Sequence, residues 1–327
     1  MSMMEIQEKQ ANALDLIKTI ACIMIVGSHC LPIFENNDFN YYYGQWFFRF
    51  CVPLFLLSTG YFFSKMVKDK QKAYIKRIIV LYIISSFVYL PAYVTDSSTK
   101  SIISNLLFGY HHLWYLSALA FGLVIVLLVD KMNLREWQYF IAIIMVWGGG
   151  LFGTYYQLLN SEKLILLAKI VSVFGGARHA LFFAVPLLLF GGLIADIQLD
   201  KKIKGKEVYL IVLYILLMAI SFMEACFFRE QLGDAVRLDV TIFGWMPAVP
   251  LTLLGLVVET SIKFDKSRKI RKVTDVVYIL HIWVLIAVNK LFGTVGCARF
   301  LLVVALSYLL SFFITIVNFK KQNETGN

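Results

Sequence analysis

Lys18 and His29 are the residues whose types and spacing point most directly to chemistry, because both lie inside the apolar run ALDLIKTIACIMIVGSHC. Charged and titratable groups are costly in hydrocarbon and are kept there for a task. Eleven residues at about 100° each make three turns with about 20° left over, so one straight helix carries both side chains on one face. Their separation along the axis is roughly 16 Å. An imidazole, with an ordinary pKa of about 6.5, suits general-base removal of a hydroxyl proton. A lysine suits the anchoring of a phosphate as a point charge. The pair fits a protein that takes an activated, phosphate-bearing donor from one side of a membrane and an acceptor from the other. It fits the polar path of a transporter equally well.

The elements that must position this pair are membrane helices. The chain has 327 residues, 59% of them hydrophobic, 15% aromatic and only 16% charged, with a mean hydropathy of +0.73. That is too much apolar surface for one soluble core. Ten apolar spans are read at about 13–34, 46–64, 74–94, 112–129, 137–156, 179–197, 207–228, 240–262, 274–292 and 299–319. The expected fold is therefore all-α: a polytopic transmembrane bundle forming one integral membrane domain over residues 1–327. The stretch 157–177 is too short in its apolar run and too charged to span, and reads as an outer loop with an interfacial helix.

The net charge of +10 raises the question of nucleic acid, and its placement answers it. In a ten-span arrangement 21 Lys and Arg fall in the loops of one side and six in those of the other. This is the positive-inside pattern, which predicts both termini in the cytoplasm and the bilayer, not nucleic acid, as partner. The first span is of full length and interrupted by polar residues, so it reads as retained in the membrane. The five cysteines lie in or beside apolar spans without paired metal spacing and read as packing residues. No phosphate-binding loop or dinucleotide fingerprint is present, and neither a metal nor a stably bound cofactor is expected.

Most of the remaining unusual residues fall toward the outer side. Arg49 lies just inside the second span, His111, His112 and Trp114 open the fourth, Arg178 and His179 open the sixth, and Glu224 lies near the outer end of the seventh. Together they predict a polar cavity for a hydrophilic substrate, with Arg49, His112, Trp114, Arg178 and Glu224 as substrate-binding candidates. His111 and His112 fit interfacial snorkelling as readily. His281, in VVYILHIWVL, fits a helix-packing group, and Asp15 fits a neutralising partner for Lys18, three residues away.

At these residues the chain resembles the acyltransferase 3 family of ten-span membrane proteins. LDLIKTIACIMIVGSH resembles the family's first-helix motif of an arginine followed ten residues later by a histidine, with Lys18 in the arginine's place. VPLFLLSTGYFFSK, HHLWYL and VVYILHIWV resemble its second-span, His-Leu-Trp and penultimate motifs. Within the family, SHCLPI, FRFCVPLF, YHHLWYLSAL and ARHALFFAVPLLLFGGL are most similar to the membrane domain of VanT-type serine racemases of vancomycin resistance. That domain is normally fused to a cytoplasmic racemase that uses pyridoxal phosphate, and it is thought to take up L-serine.

With Asn327 close behind the last span, the resemblance implies a membrane subunit without a racemase domain. It would supply L-serine to a separately encoded racemase for precursors ending in D-Ala-D-Ser. Arginine would then hold the substrate carboxylate and Glu224 its ammonium. The alternative implied by the family is an acyltransferase, moving a group other than an aminoacyl group from acyl-CoA to an extracytoplasmic glycan hydroxyl. In it His29 is the base and Lys18 the donor-phosphate contact. Two departures weigh against it. Lys18 lacks the planar fork of arginine, and Thr59, inserted between Ser58 and Gly60, turns the serine by about 100° relative to the glycine. A third reading is an anchor that only docks a racemase through the basic loops 65–77 or 263–272.

Overall fold

The computed structural model describes residues 12–324, apart from 95–97, 132–134, 160, 174, 236–237 and 239. The described residues are overwhelmingly helical, and their β pairing is confined to an isolated bridge between Asn12 and Glu259. The main helices are α1 (Leu14–His29), α2 (Cys51–Ser64), α3 (Lys68–Tyr89), α4 (Trp114–Lys131), α5 (Arg135–Gly150) and α6 (Val185–Asp196). They continue with α7 (Glu207–Leu232), α8 (Ala248–Val257), α9 (Phe264–Phe292) and α10 (Gly296–Glu324). Seven helical stretches among the described residues, those of α2, α3, α4, α5, α7, α9 and α10, are long and apolar enough to cross a membrane; α1, expected as a full-length first span, has 16 residues and is not among them, and α6 and α8 belong to shorter apolar helices. Many large apolar side chains stay exposed, among them Tyr209 and Met223 on α7 and Leu291 and Phe313 on α9 and α10. A soluble protein would bury such residues, whereas hydrocarbon takes them without cost.

The contacts divide into two compact units, one of 1–51, 203–212 and 250–327 and the other of 52–202 and 213–249. In the first unit α1 packs on α9 and α10, which pack closely on each other. Gly293, in the left-handed conformation at φ 58°, ends α9 and lets the chain turn into α10. The segment between α1 and α2 contains a short helix Asn37–Tyr42, capped by the Asn36 side chain on the amides of Asp38 and Phe39.

In the second unit α2 and α6 cross with their backbones in contact. A Cβ at Gly60 would collide with the Leu188 carbonyl, and one at Gly191 with the Leu57 carbonyl. Small residues at such a crossing are how membrane helices gain van der Waals contact without a hydrophobic driving force. Gly60, part of the second-span motif, thus has a packing role, and Ser58 beside it is buried with its hydroxyl on the Phe55 carbonyl.

Two differences from the sequence reading have physical causes. The expected span 240–262 is helical only over Ala248–Val257, because the amides of Ile242 and Phe243 are drawn to the Glu224 carboxylate instead of a helix ladder. The connection before α4 contains a helix, Thr99–Phe108, started by the Ser98 side chain on the Ser101 amide. The helix expected within 157–177 is Glu162–Val173, with a π turn at Leu151–Tyr155 before it. A second π turn, Ala180–Ala184, leads into α6, whose Pro186 sits in the first turn where its missing N–H costs nothing.

Candidate functional site

Both ends of the Lys18–His29 pair lie on α1, so the two side chains do share one continuous helix. At the far end the His29 ring lies 5.2 Å, centroid to centroid, from that of His281 on α9, the planes inclined at 42°. His281 is buried, and its Nδ1 sits 2.8 Å from the Tyr278 carbonyl oxygen and 3.1 Å from that of Val277. Carbonyls only accept, so Nδ1 carries the hydrogen and the acceptor lone pair of a neutral His281 is on Nε2. A histidine that reads as a packing group in isolation is therefore the neighbour of the candidate base.

The end of α1 that carries His29 is fastened from two sides. The Arg299 guanidinium donates to the carbonyls of Cys30 at 2.8 Å and Pro32 at 3.3 Å, a cation where a helix C-terminus favours one. The Tyr43 hydroxyl donates to the Met24 carbonyl at 2.9 Å, and Gly27 makes room for it. Both contacts hold the backbone beneath His29.

Around Lys18 the polar groups belong to α1, α9 and α10. Asp15 accepts from the Ser267 hydroxyl at 2.5 Å and lies 3.9 Å from Arg271. Lys18 lies in the field of Asp15, Asp275 and Arg271. The expected Asp15–Lys18 neutralisation is thus one part of a wider charge network. Thr19 and Thr274 share a hydrogen bond of 3.0 Å, and the Tyr308 hydroxyl donates to the Thr19 carbonyl at 3.2 Å. In the same unit Arg49 donates to Gln45 at 2.6 Å and stacks over Phe48, its Cζ 5.3 Å from the ring centre.

The other candidates belong to the second unit. Arg178 lies with its Cζ 5.3 Å from the centre of the Trp114 ring, so two residues 64 positions apart in the sequence are brought together. A guanidinium held over an aromatic face turns its N–H edge outward, the geometry that meets a carboxylate. His112 is buried with its ring edge-on to Tyr89 at 5.0 Å. His179, which the sequence reading named but did not select, is buried with Nε2 3.1 Å from the Ser117 hydroxyl. That hydroxyl spends its one hydrogen on the Leu107 carbonyl at 2.7 Å, so His179 is the donor to Ser117.

Glu224 is buried and accepts from the Tyr155 hydroxyl at 2.6 Å and from the backbone amides of Ile242 and Phe243 at 2.9 and 3.0 Å. The adjacent Thr154 donates to the Val240 carbonyl at 2.7 Å. Glu224 therefore holds the segment before α8, whatever it does for a substrate. Tyr155 and the amides of Ile242 and Phe243 carry no sequence signal, lying 69, 18 and 19 positions from Glu224. Among the described residues, no three His, Cys, Asp or Glu side chains converge as a metal site.

Fold and site define a multi-pass helical membrane protein with titratable side chains held on its α1, α9 and α10 helices and an arginine–tryptophan pair formed by Arg178, ahead of the π turn that leads into α6, and Trp114, at the start of α4. The chain belongs to the acyltransferase 3 family, whose acyltransferase-domain model matches residues 11–317. It is 26% identical over 329 residues to an amino-acid racemase of Enterococcus faecalis, covering 92% of this chain and 45% of that protein. It is 24% identical over 260 residues to a serine/alanine racemase of Enterococcus gallinarum, covering 73% of this chain and 37% of that protein. The chain thus spans less than half the length of these curated relatives. No solved structure matches it.

Proposed function

We propose that this chain is the membrane part of a serine racemase system, supplying L-serine to a racemase that makes D-serine for D-Ala-D-Ser peptidoglycan precursors and hence for vancomycin resistance. The observation that carries this reading is that racemase-named relatives match a multi-pass membrane chain of the acyltransferase 3 family. Arg178, stacked on Trp114, is the carboxylate-binding group, with Arg49, His112 and Glu224 as the further substrate-binding candidates. Lys18 and His29 then belong to a polar path. Cells expressing the chain should take up labelled L-serine faster than cells carrying the empty vector. Equal rates would remove this reading.

The approach of His29 to His281 supports a second reading, acyl transfer to an envelope glycan hydroxyl. In it His29 takes the hydroxyl proton, Lys18 meets a phosphate of acyl-CoA, the acyl group passes to the oxygen, and the coenzyme thiol departs. His29→Ala should then abolish glycan modification. Full modification in that variant would refute the assignment.

A further inference from the structure

The second unit contains a cavity that neither reading uses. It measures about 210 Å³ and lies among α2, α3, α4, α5 and α6. Its apolar walls include Phe63 and Leu188, and its polar groups are Ser64, Lys68, Gln71, Asp130, Tyr139 and Asp196. Lys68 and Asp130 are partly exposed and paired with each other, and the Tyr139 hydroxyl donates to Asp196 at 2.9 Å. These residues lie where the chain enters and leaves its membrane helices on the side rich in Lys and Arg.

Gln71 is the informative residue. It is only 6% exposed, its amide nitrogen donates to the Phe63 carbonyl at 2.9 Å, and its carbonyl oxygen Oε1 is buried with no hydrogen-bond partner in the protein. A buried acceptor of this kind is unfavourable until something donates to it. Two carboxylates against one lysine leave the lining formally negative, which selects a cationic donor. Lys68 at the exposed edge, paired with Asp130, can also turn to an anion on the same molecule. The volume lies below the roughly 300–1,000 Å³ of pockets for drug-sized ligands, and matches about seven waters. The occupant is therefore a molecule of few heavy atoms.

We propose that this cavity binds a small zwitterion carrying a primary ammonium group, the ammonium directed at the Gln71 amide and Asp196 and the anion at Lys68. That chemistry is shared by a free α-amino acid and by the phosphoethanolamine headgroup of a lipid. The inference goes beyond serine supply, because binding here requires no transport.

The test uses the full chain in nanodiscs. Saturable binding of labelled L-serine is measured in discs of phosphatidylcholine and phosphatidylglycerol. Retention of phosphatidylethanolamine through purification is measured by lipid mass spectrometry. Gln71→Glu keeps the acceptor and adds charge, so it should preserve binding, whereas Gln71→Leu and Asp196→Asn should each weaken it at least tenfold. Serine binding with this variant pattern identifies the free amino acid as the source. Retained phosphatidylethanolamine that is lost in Gln71→Leu, without serine binding, identifies the headgroup. If neither probe binds, or if folded Gln71→Leu and Asp196→Asn variants both bind as the parent does, the cavity holds only water and the proposal falls. Uptake in cells is scored separately, so loss of transport with binding intact counts against serine supply and not against this site.

Discussion

The polar contacts between α1 and α9 in the first unit differ from those that hold the irregular segments of the second. In the first, side chains of α1 meet side chains of α9: Thr19 meets Thr274, Asp15 meets Ser267, and His29 faces His281. In the second, they meet mostly backbone: Glu224 holds the amides of Ile242 and Phe243, Thr154 and Ser117 donate to carbonyls, and Gln71 donates to Phe63. A buried side chain bonded to backbone satisfies a segment that has left its helix ladder, which is a folding task. A half-buried imidazole facing a buried one, as His29 faces His281, fixes no such segment, and titratable pairs at membrane depth are where proton and ion chemistry is found. By this measure Glu224 has an architectural task, and His29 stays a candidate for the chemistry proposed above.

Glu224→Ala should break the second unit hardest. It leaves the Ile242 and Phe243 amides and the Tyr155 hydroxyl buried without an acceptor, at about 1–3 kcal/mol for each group. The expected loss is about 3 kcal/mol or more, read as a large drop in melting temperature of the purified protein, with Glu224→Gln milder. Melting unchanged in Glu224→Ala would erase the contrast between the units.

The same Gly→Ala change in each unit sharpens the comparison. At Gly191 the new methyl group meets the Leu57 backbone, which cannot step aside, and the cost should be about 1–3 kcal/mol. At Gly27 it meets the Tyr43 hydroxyl, a side-chain tip that can swing away at the expense of its bond to Met24, or about 1 kcal/mol. Thermal melts should rank Gly191→Ala below Gly27→Ala, and the reverse order would contradict the backbone contact of α2 with α6.

The smallest effect concerns the exposed end of α7, where the Arg229 guanidinium donates to Asp234 at 2.6 Å and holds its carboxyl below the ordinary range. A depressed folded pKa gives stability that is present above the unfolded value of about 3.9 and is lost as pH falls through the folded one. Asp234 is exposed and Arg229 half-buried, so Asp234→Asn should leave melting at pH 7 almost unchanged and flatten only its fall under acid conditions.

These contrasts also explain what the sequence makes legible. The helices are readable because apolar runs of membrane length have few alternatives, and Lys18 and His29 are readable as one face because both lie within α1. The shortness of α8 is not readable, since it depends on amides captured by Glu224 from another helix. The partner of His29 is equally hidden: His281 lies 252 positions away, and nothing in VVYILHIWVL distinguishes a packing imidazole from a facing one. Arg178 and Trp114 are each conspicuous in the sequence, but only the fold pairs them. Gln71 is an ordinary residue at the start of a basic helix until its carbonyl is found buried.

The central claim, that the chain carries L-serine across the membrane with Arg178 on the carboxylate, is tested most directly in proteoliposomes. Purified protein should accumulate labelled L-serine against an unlabelled internal pool. Arg178→Gln should cut the rate at least tenfold while melting within a few degrees of the parent protein. Serine entry no faster than in empty liposomes, or full transport by the Arg178→Gln variant, would contradict the account.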